Sequence, residues 1–382
     1  SDRWRGIELI DFTGETIFNY VRISGAHKET MSDGLNRGDG GINVNASNFT
    51  LQNATISNNS SFGRGGGIFL HNSNATLTHV SIINNISEHS GGGGVGMQNG
   101  FNSLTNVSIN GNTSEYGGGG IYLDNSNPIL TNVSISENIT SRDGGGMEVR
   151  YGSYPILTNV TISGNNANDD GGGILLDNSH LILSNSIIWD NSPNPIYFRE
   201  WIDPYNPDDS TLITIMHSDI QGGEEGIMTN ANGVVYWESG NIDSDPLFIG
   251  NTNYHLQEGS PCIDAGTALF VWKGDTLINM SETDYIGLAP DMGAYEYGAL
   301  SIGSGSKVVP KSFKLHQNFP NPFNPITTLR YDLPSDALVT LSIYDMLGRE
   351  ITQLVNTNQQ AGFKSVQWDA TDMHGKPVSA GV

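Results

Sequence analysis

Residues 117–138 read Gly117-Gly-Gly-Gly-Ile-Tyr-Leu-Asp-Asn-Ser-Asn-Pro-Ile-Leu-Thr-Asn-Val-Ser-Ile-Ser-Glu-Asn138. The apolar residues alternate over short runs, Ile121 with Leu123, then Leu130, Val133 and Ile135, and the runs are separated by Gly, Asn, Ser and Pro. Such runs are too short for helices and suit strands joined by tight turns. The same text recurs along the chain. A glycine turn leads into Ile42, Ile68, Val95, Ile121, Met147 and Ile174, at intervals of 26 or 27 residues. A second landmark, of the form Leu-Thr-Asn-Val-Ser-Ile, places Ile56, Ile82, Ile109, Ile135, Ile162 and Ile188 at the same interval. One such unit has nothing to bury its apolar face against. Units stacked about 4.8 Å apart bury a continuous aliphatic column and pair every backbone edge but the outermost.

The repeat therefore predicts an all-β, single-stranded solenoid, a parallel β-helix of about seven coils. Its right hand follows from the chirality of parallel crossovers. Asn59, Asn85, Asn112, Asn138, Asn165 and Asn191 recur in register, as do Asn53, His79, Asn106, Asn132, Asn159 and Asn185. Both files read as turn ladders, in which each amide bonds its own turn and the next amide. The Asn-x-Ser/Thr triplets are then by-products of the ladder and not glycosylation sites. An earlier coil is visible at Ile7 and at Phe18–Ile23, with His27–Asp39 as a polar loop on one edge. After Trp189 the period breaks, Pro195, Pro204 and Pro207 mark an excursion, and strands resume near Leu212–Ile220.

Composition narrows the partners. The 382 residues carry 17 Lys and Arg against 40 Asp and Glu, a net charge of -23, which disfavours nucleic acid and anionic membrane. There is no apolar run long enough to span a bilayer. The one cysteine, Cys262, rules out an internal disulfide and reads as a small buried hydrophobe. The abrupt start at Ser1-Asp-Arg-Trp and the stop at Ser379-Ala-Gly-Val suggest a fragment of a longer chain.

With the repeat in hand, residues 1–298 resemble right-handed parallel β-helix proteins of the pectin-lyase-like superfamily, and the Gly-Gly-Gly-Ile turns are also similar to those of bacterial surface adhesins. The closing motifs His217-Ser-Asp-Ile-Gln-Gly222, Gly240-Asn-Ile-Asp-Ser-Asp-Pro-Leu-Phe248, Ser260-Pro-Cys-Ile-Asp-Ala-Gly266 and Pro290-Asp-Met-Gly-Ala-Tyr-Glu296 resemble secreted β-helix proteins of the choice-of-anchor type. Regular coils are assigned to about 1–195, the irregular closing segment to 196–298, and a Gly/Ser/Lys linker to 299–312. Residues 313–382 begin with Gln317-Asn-Phe-Pro-Asn-Pro-Phe-Asn-Pro325 and continue to Tyr344-Asp-Met-Leu-Gly-Arg-Glu350. They closely resemble the type A sorting domain of the type IX secretion system. That family closes with a Tyr-rich strand and a basic strand that this sequence lacks, so the domain is expected to be an incomplete immunoglobulin-like β-sandwich. The resemblances imply a secreted protein attached to the cell surface, with the secretion machinery and an extracellular glycan as partners.

Alternation in the strand after each glycine turn sends Ile121 and Leu123 inward and Tyr122 and Asp124 outward. The outward column reads Asn45, His71, Gln98, Asp124, Arg150, Asp177, with Glu148 beside it. Asp124 and Asp177 stand two coils apart, roughly 9–10 Å, near the upper end of the carboxylate separation of inverting glycosidases. The candidate catalytic set is thus Asp124, Glu148, Arg150 and Asp177, with His71, Tyr122, Trp201 and Tyr205 as candidate ligand-binding residues. The competing reading makes Asp124, Arg150 and Asp177 a solvated charge ladder on an exposed strand face. A lyase is disfavoured, because no lysine lies between Lys28 and Lys273. Asp39, Glu115, Asp143, Asp169 and Asp170 form a candidate calcium edge or a row of solvated turn acids, and no other cofactor is expected. Three functions stay open: a surface protein that binds glycan or mediates adhesion, a polysaccharide-degrading enzyme, a hydrolase before a lyase, and a purely structural spacer in an envelope assembly.

Overall fold

The computed structural model describes residues 4–27, 40–200, 211–250, 252–272, 274–281, 283–298, 312–315, 318, 327–345, 347–360 and 362–378. The described residues build an all-β chain that divides into two compact units, Ser1–Asn279 with Asp291–Tyr297, and Met280–Pro290 with Gly298–Val382.

The first unit is the expected parallel β-helix. Each coil contributes a short strand after the glycine turn, such as Ile121–Asp124, a long strand such as Ile129–Ser136, and a two-residue strand such as Ile139–Thr140. Like segments stack in parallel into sheets of nine, twelve and five strands, called here the first, second and third sheets. Ile121 lies between Val95 and Met147, and Ile135 between Ile109 and Ile162, so one repeat of sequence is one step of the ladder. The stack is taller than the period implied. Two further levels follow the break after Trp189: Ile196–Phe198 and Ile227–Met228 extend the first sheet, and Thr211–Met216 and Gly233–Trp237 the second. The rungs continue while the connections lengthen, which is why the repeat is lost to inspection.

Ile121, Leu123, Leu130, Val133 and Ile135 are all fully buried, and each such side chain is worth roughly 1.5–3 kcal/mol of transfer free energy. Beside this column runs the first asparagine file. Asn138 Oδ1 accepts from the backbone N and Nδ2 of Asn112, at 2.9 and 3.0 Å. Asn138 Nδ2 in turn donates to Ile109 O and Asn165 Oδ1. The pattern repeats from Asn59 to Asn191, so buried amides with no access to water satisfy one another and lock the coils in register.

The second file does something different. Asn53, His79, Asn106, Asn132, Asn159 and Asn185 sit inside the second sheet at φ of 47–55°, the left-handed region that Asn tolerates better than other residues with a side chain. From Asn53 to Asn159 they bend each long strand as a bulge, whereas Asn185 separates two shorter strands, and Asn132 Nδ2 donates to Asn106 Oδ1 on the outside. At Asn185 the ladder ends on the closing segment: its amide donates to Thr267 O and accepts from Thr267 N. Ala294 N donates to Thr161 Oγ1 and the Tyr254 hydroxyl to Glu137 Oε1. The closing segment therefore lies against the second sheet at Thr161, Asn185 and Glu137. Ile187, Leu256, Cys262 and Met292 form a small core there, and the Cys262 thiol donates to buried Asp219. Burial pushes Asp219 up to about 6 and, with the neighbouring Glu296, Asp291 up to about 8.

In the second unit Lys314–Leu315, Thr327–Leu333 and Gly362–Trp368 form one antiparallel sheet, and Ala337–Tyr344 pairs with Glu350–Gln359. Tyr331, Leu333 and Leu341 centre a small core. This is an immunoglobulin-like pair of small sheets.

If the buried amides set the register, Asn138→Ala, which strands several of their polar partners, lowers stability in urea unfolding by about 2–4 kcal/mol. Thr131→Ala, on the outer face, changes it by less than about 0.5 kcal/mol; equal losses would deny the buried file that role.

Candidate functional site

The four candidate catalytic residues all come from the first sheet, where Tyr122, Glu148 and Leu175 are successive rungs of one column and Asp124, Arg150 and Asp177 of the next. The sequence places both columns on an outward, solvated face. The structure corrects this: Phe69, Tyr122, Glu148, Leu175 and Tyr197 are all buried, Glu148 to 1% exposure, and Asp124 and Asp177 to 9% and 2%. The cause is the glycine turn. Gly118, at φ +55, folds back so closely that a Cβ there would stand 2.9 Å from Tyr122 Cα, and one on Gly144 would stand 2.8 Å from Glu148 Cβ. The turns form a roof over the strand that follows them. Only residues without a side chain fit between roof and sheet.

Three arginines close the chamber. Arg64, from the turn before Gly65, reaches Asp124 Oδ2 at 2.9 Å and lies over the Tyr122 ring at 5.1 Å. Gln98 Nε2 also donates to Asp124 Oδ2. Arg150 Nε donates to Asp177 Oδ2 at 3.2 Å, and its Nη1 stands 3.6 Å from Glu148 Oε1. Arg199, brought in by the coil beyond the break in period, donates from Nη2 to Glu148 Oε1 and Asp143 Oδ2, both at 3.0 Å. Its Nε lies 3.1 Å from Asp177 Oδ2, near enough for Coulombic attraction but not aligned as a hydrogen bond.

Three guanidinium groups thus face four carboxyls, those of Asp124, Asp143, Glu148 and Asp177. Burial pushes Glu148 up to about 7 against the pull of Arg150 and Arg199, and its Oε2 accepts no hydrogen bond. A proton on Glu148 brings the chamber to three charges of each sign. Burial also pushes the Tyr122 hydroxyl up to about 12. His71 is lowered by burial and then by Arg64; its Nδ1 stands 3.0 Å from Asn45 Oδ1 and its ring stacks on Phe69.

Asp124 and Asp177 are therefore each held by arginine, and their side chains keep only 13% and 3% of their exposure. Arg64 and Arg199, which complete the arrangement, were missed in the sequence because one lies in a turn and the other 51 residues from Glu148. Their rarity was the available signal: an arginine beside a glycine turn in a chain with few cations has a carboxylate to meet. Of the calcium-edge residues, Asp143 meets Arg199 and Glu115 meets His89 at 2.8 Å, while Asp39 lies outside the described residues. Among the described residues, His, Cys, Asp and Glu form no group of three placed to hold a metal ion. Trp201 and Tyr205 also lie outside the described residues, whereas Tyr197 and Phe198, from the same excursion, are buried.

The right handed beta helix region, a family model, matches residues 40–278, and the FlgD Ig-like domain matches residues 325–382. No curated protein and no solved structure matches the chain.

Glu148 titrates near 7 in the folded chain and near 4.3 when unfolded, so between those values the folded state holds the extra proton. The stability it contributes is complete below about pH 4.3 and is lost as pH rises through 7. Glu148→Gln is expected to remove on the order of 2–3 kcal/mol of the decline between pH 5 and 8, read by urea unfolding of both proteins across that range. Arg199→Ala, which leaves buried carboxylates uncompensated, costs about 3–5 kcal/mol at pH 8.

Proposed function

We propose a function from one premise: this chain belongs to the right-handed β-helix family. Our reading is a non-catalytic, glycan-binding protein of the cell surface, displayed by its C-terminal domain. The observation that carries it is that the best polar constellation in the helix is largely buried and spent on ion pairs. A hydrolytic acid and base need access to substrate and water, and here Asp124, Asp143, Glu148 and Asp177 share three arginines beneath the glycine turns. The chamber is built like an internal brace.

Half open to water is a regular row of hydroxyls, Thr78, Thr105, Thr131 and Thr158 on successive coils, with half-buried Asn132 and exposed Asn53 and Asn106 beside them. A neutral glycan offers matching hydroxyls. The net charge of -23 favours an uncharged ligand. Export by a type IX pathway is supported by the motifs of residues 317–350, and the Ig-like match over 325–382 agrees with a small sandwich there.

A hydrolase is the second reading, favoured by one feature: Glu148, held protonated near neutrality, has the character of a general acid. Incubation with a panel of plant and algal polysaccharides separates the two. The binding reading expects retention of glycan with no new reducing ends, unchanged in Asp124→Asn with Asp177→Asn. Release of reducing sugar that Glu148→Gln abolishes would replace it with the enzyme.

A further inference from the structure

We propose that the corner joining the first sheet to the second is a binding strip for an extended, uncharged polysaccharide lying along the helix axis. This rests on the glycan-binding reading and gives it a place and a ligand class.

In each coil the chain leaves the first sheet through a residue in the left-handed region: Ala46, Asn72, Asn99, Asn125, Tyr151 and Asn178, at φ of 45–55°. Asn125 Nδ2 donates to Asn99 Oδ1 at 2.9 Å, so this column is an exposed amide ladder interrupted by Tyr151. A second column runs beside it. The register that stacks Ser103, Ile129 and Ile156 places Phe101, Asn127 and Tyr154 one above another. Asn74 Oδ1 accepts from Phe101 N, and Asn127 Oδ1 from Tyr154 N at 2.7 Å. Amide and ring alternate from coil to coil, each amide pinning the backbone of the ring that follows.

Phe101 is 70% exposed, Tyr151 50% and Tyr154 39%. None of the three belongs to a core cluster, although the backbone of Phe101 and Tyr154 is hydrogen-bonded to the neighbouring coil. Arg150 lies over the Tyr151 ring at 4.5 Å and bonds its hydroxyl, and the Tyr154 ring meets the edge of His180 at 5.5 Å. Rings held at fixed spacing in water are platforms for the C–H faces of sugars, and the amides between them suit sugar hydroxyls. Phe101 and Tyr154 stand two coils apart, about 9–10 Å, on the scale of a disaccharide in an extended chain. Alternate sugars meet a ring, and the sugar between meets Asn127 and Asn125. Arg150, the guanidinium beside the strip, is committed to Asp177 and Glu148, and a net charge of -23 disfavours a polyuronate.

Affinity electrophoresis in gels containing laminarin, xylan, glucomannan or hydroxyethylcellulose, with polygalacturonate and alginate as anionic members, tests this on the whole chain. Retardation by at least one neutral polymer and by neither polyanion is expected. Phe101→Ala with Tyr154→Ala should weaken it about a hundredfold, roughly tenfold per ring, with circular dichroism and melting temperature unchanged. Tyr116→Ala, an exposed ring on the turn after the third sheet, should bind as wild type. Neutral-glycan binding that survives the double substitution would overturn the strip and leave the glycan reading standing. Preference for polygalacturonate would overturn the uncharged ligand, and no retention by any polymer would overturn the glycan reading itself.

Discussion

The regular coils of this protein are held in place by a file of buried amides. The file from Asn59 to Asn191 hydrogen-bonds coil to coil, side chain to backbone and side chain to side chain. A slip of one residue would strand those polar groups in an apolar column and turn every aliphatic side chain outward. Register is thus enforced twice, by apolar burial and by polar satisfaction. Everything at the surface inherits it: a residue at a given place in one repeat lies directly over its counterpart in the next.

That inheritance has two products. Beneath the glycine turns, stacked outward positions become a largely buried chamber in which Arg64, Arg150 and Arg199 offset four carboxyls from three coils. Buried ion pairs of this kind add little net stability over apolar packing but penalise any arrangement that breaks them, so the chamber adds specificity to the stack. At the open corner the same stacking turns single exposed side chains into columns. There the spacing of rings and amides is fixed by the ladder, which lowers the entropic cost of meeting a long ligand.

The repeat was legible in the sequence because two landmarks share its period, and the inward residues Ile121, Leu123, Leu130, Val133 and Ile135 followed from alternation. The buried asparagine file was legible too, through its register. Alternation fails at the outer face of the first sheet, where it says only which way Tyr122 and Glu148 point and not what covers them. The cover is a backbone fold-back that glycine permits without dictating. Asn132 and its counterparts were read as turn residues because Asn favours turns, whereas here the same left-handed preference bends a strand from within. Strands near Leu212–Ile220 were legible beyond the loss of period after Trp189, whereas Arg199 and the last level, Ile227–Met228 with Gly233–Trp237, were hidden by it. Phe101 and Tyr154 escaped notice because rings on alternate coils have twice the repeat's period.

The central claim is that ligand meets the outside corner and not the buried chamber. Hydroxyl-radical footprinting of the chain, free and with a retained neutral oligosaccharide such as laminarihexaose or cellohexaose, tests it at single residues. The account predicts that oxidation of Phe101, Tyr151 and Tyr154 falls on binding while that of exposed Tyr20 and Tyr116 does not change. Unchanged oxidation at the corner, or a change centred on Tyr122 beside Glu148, would contradict it.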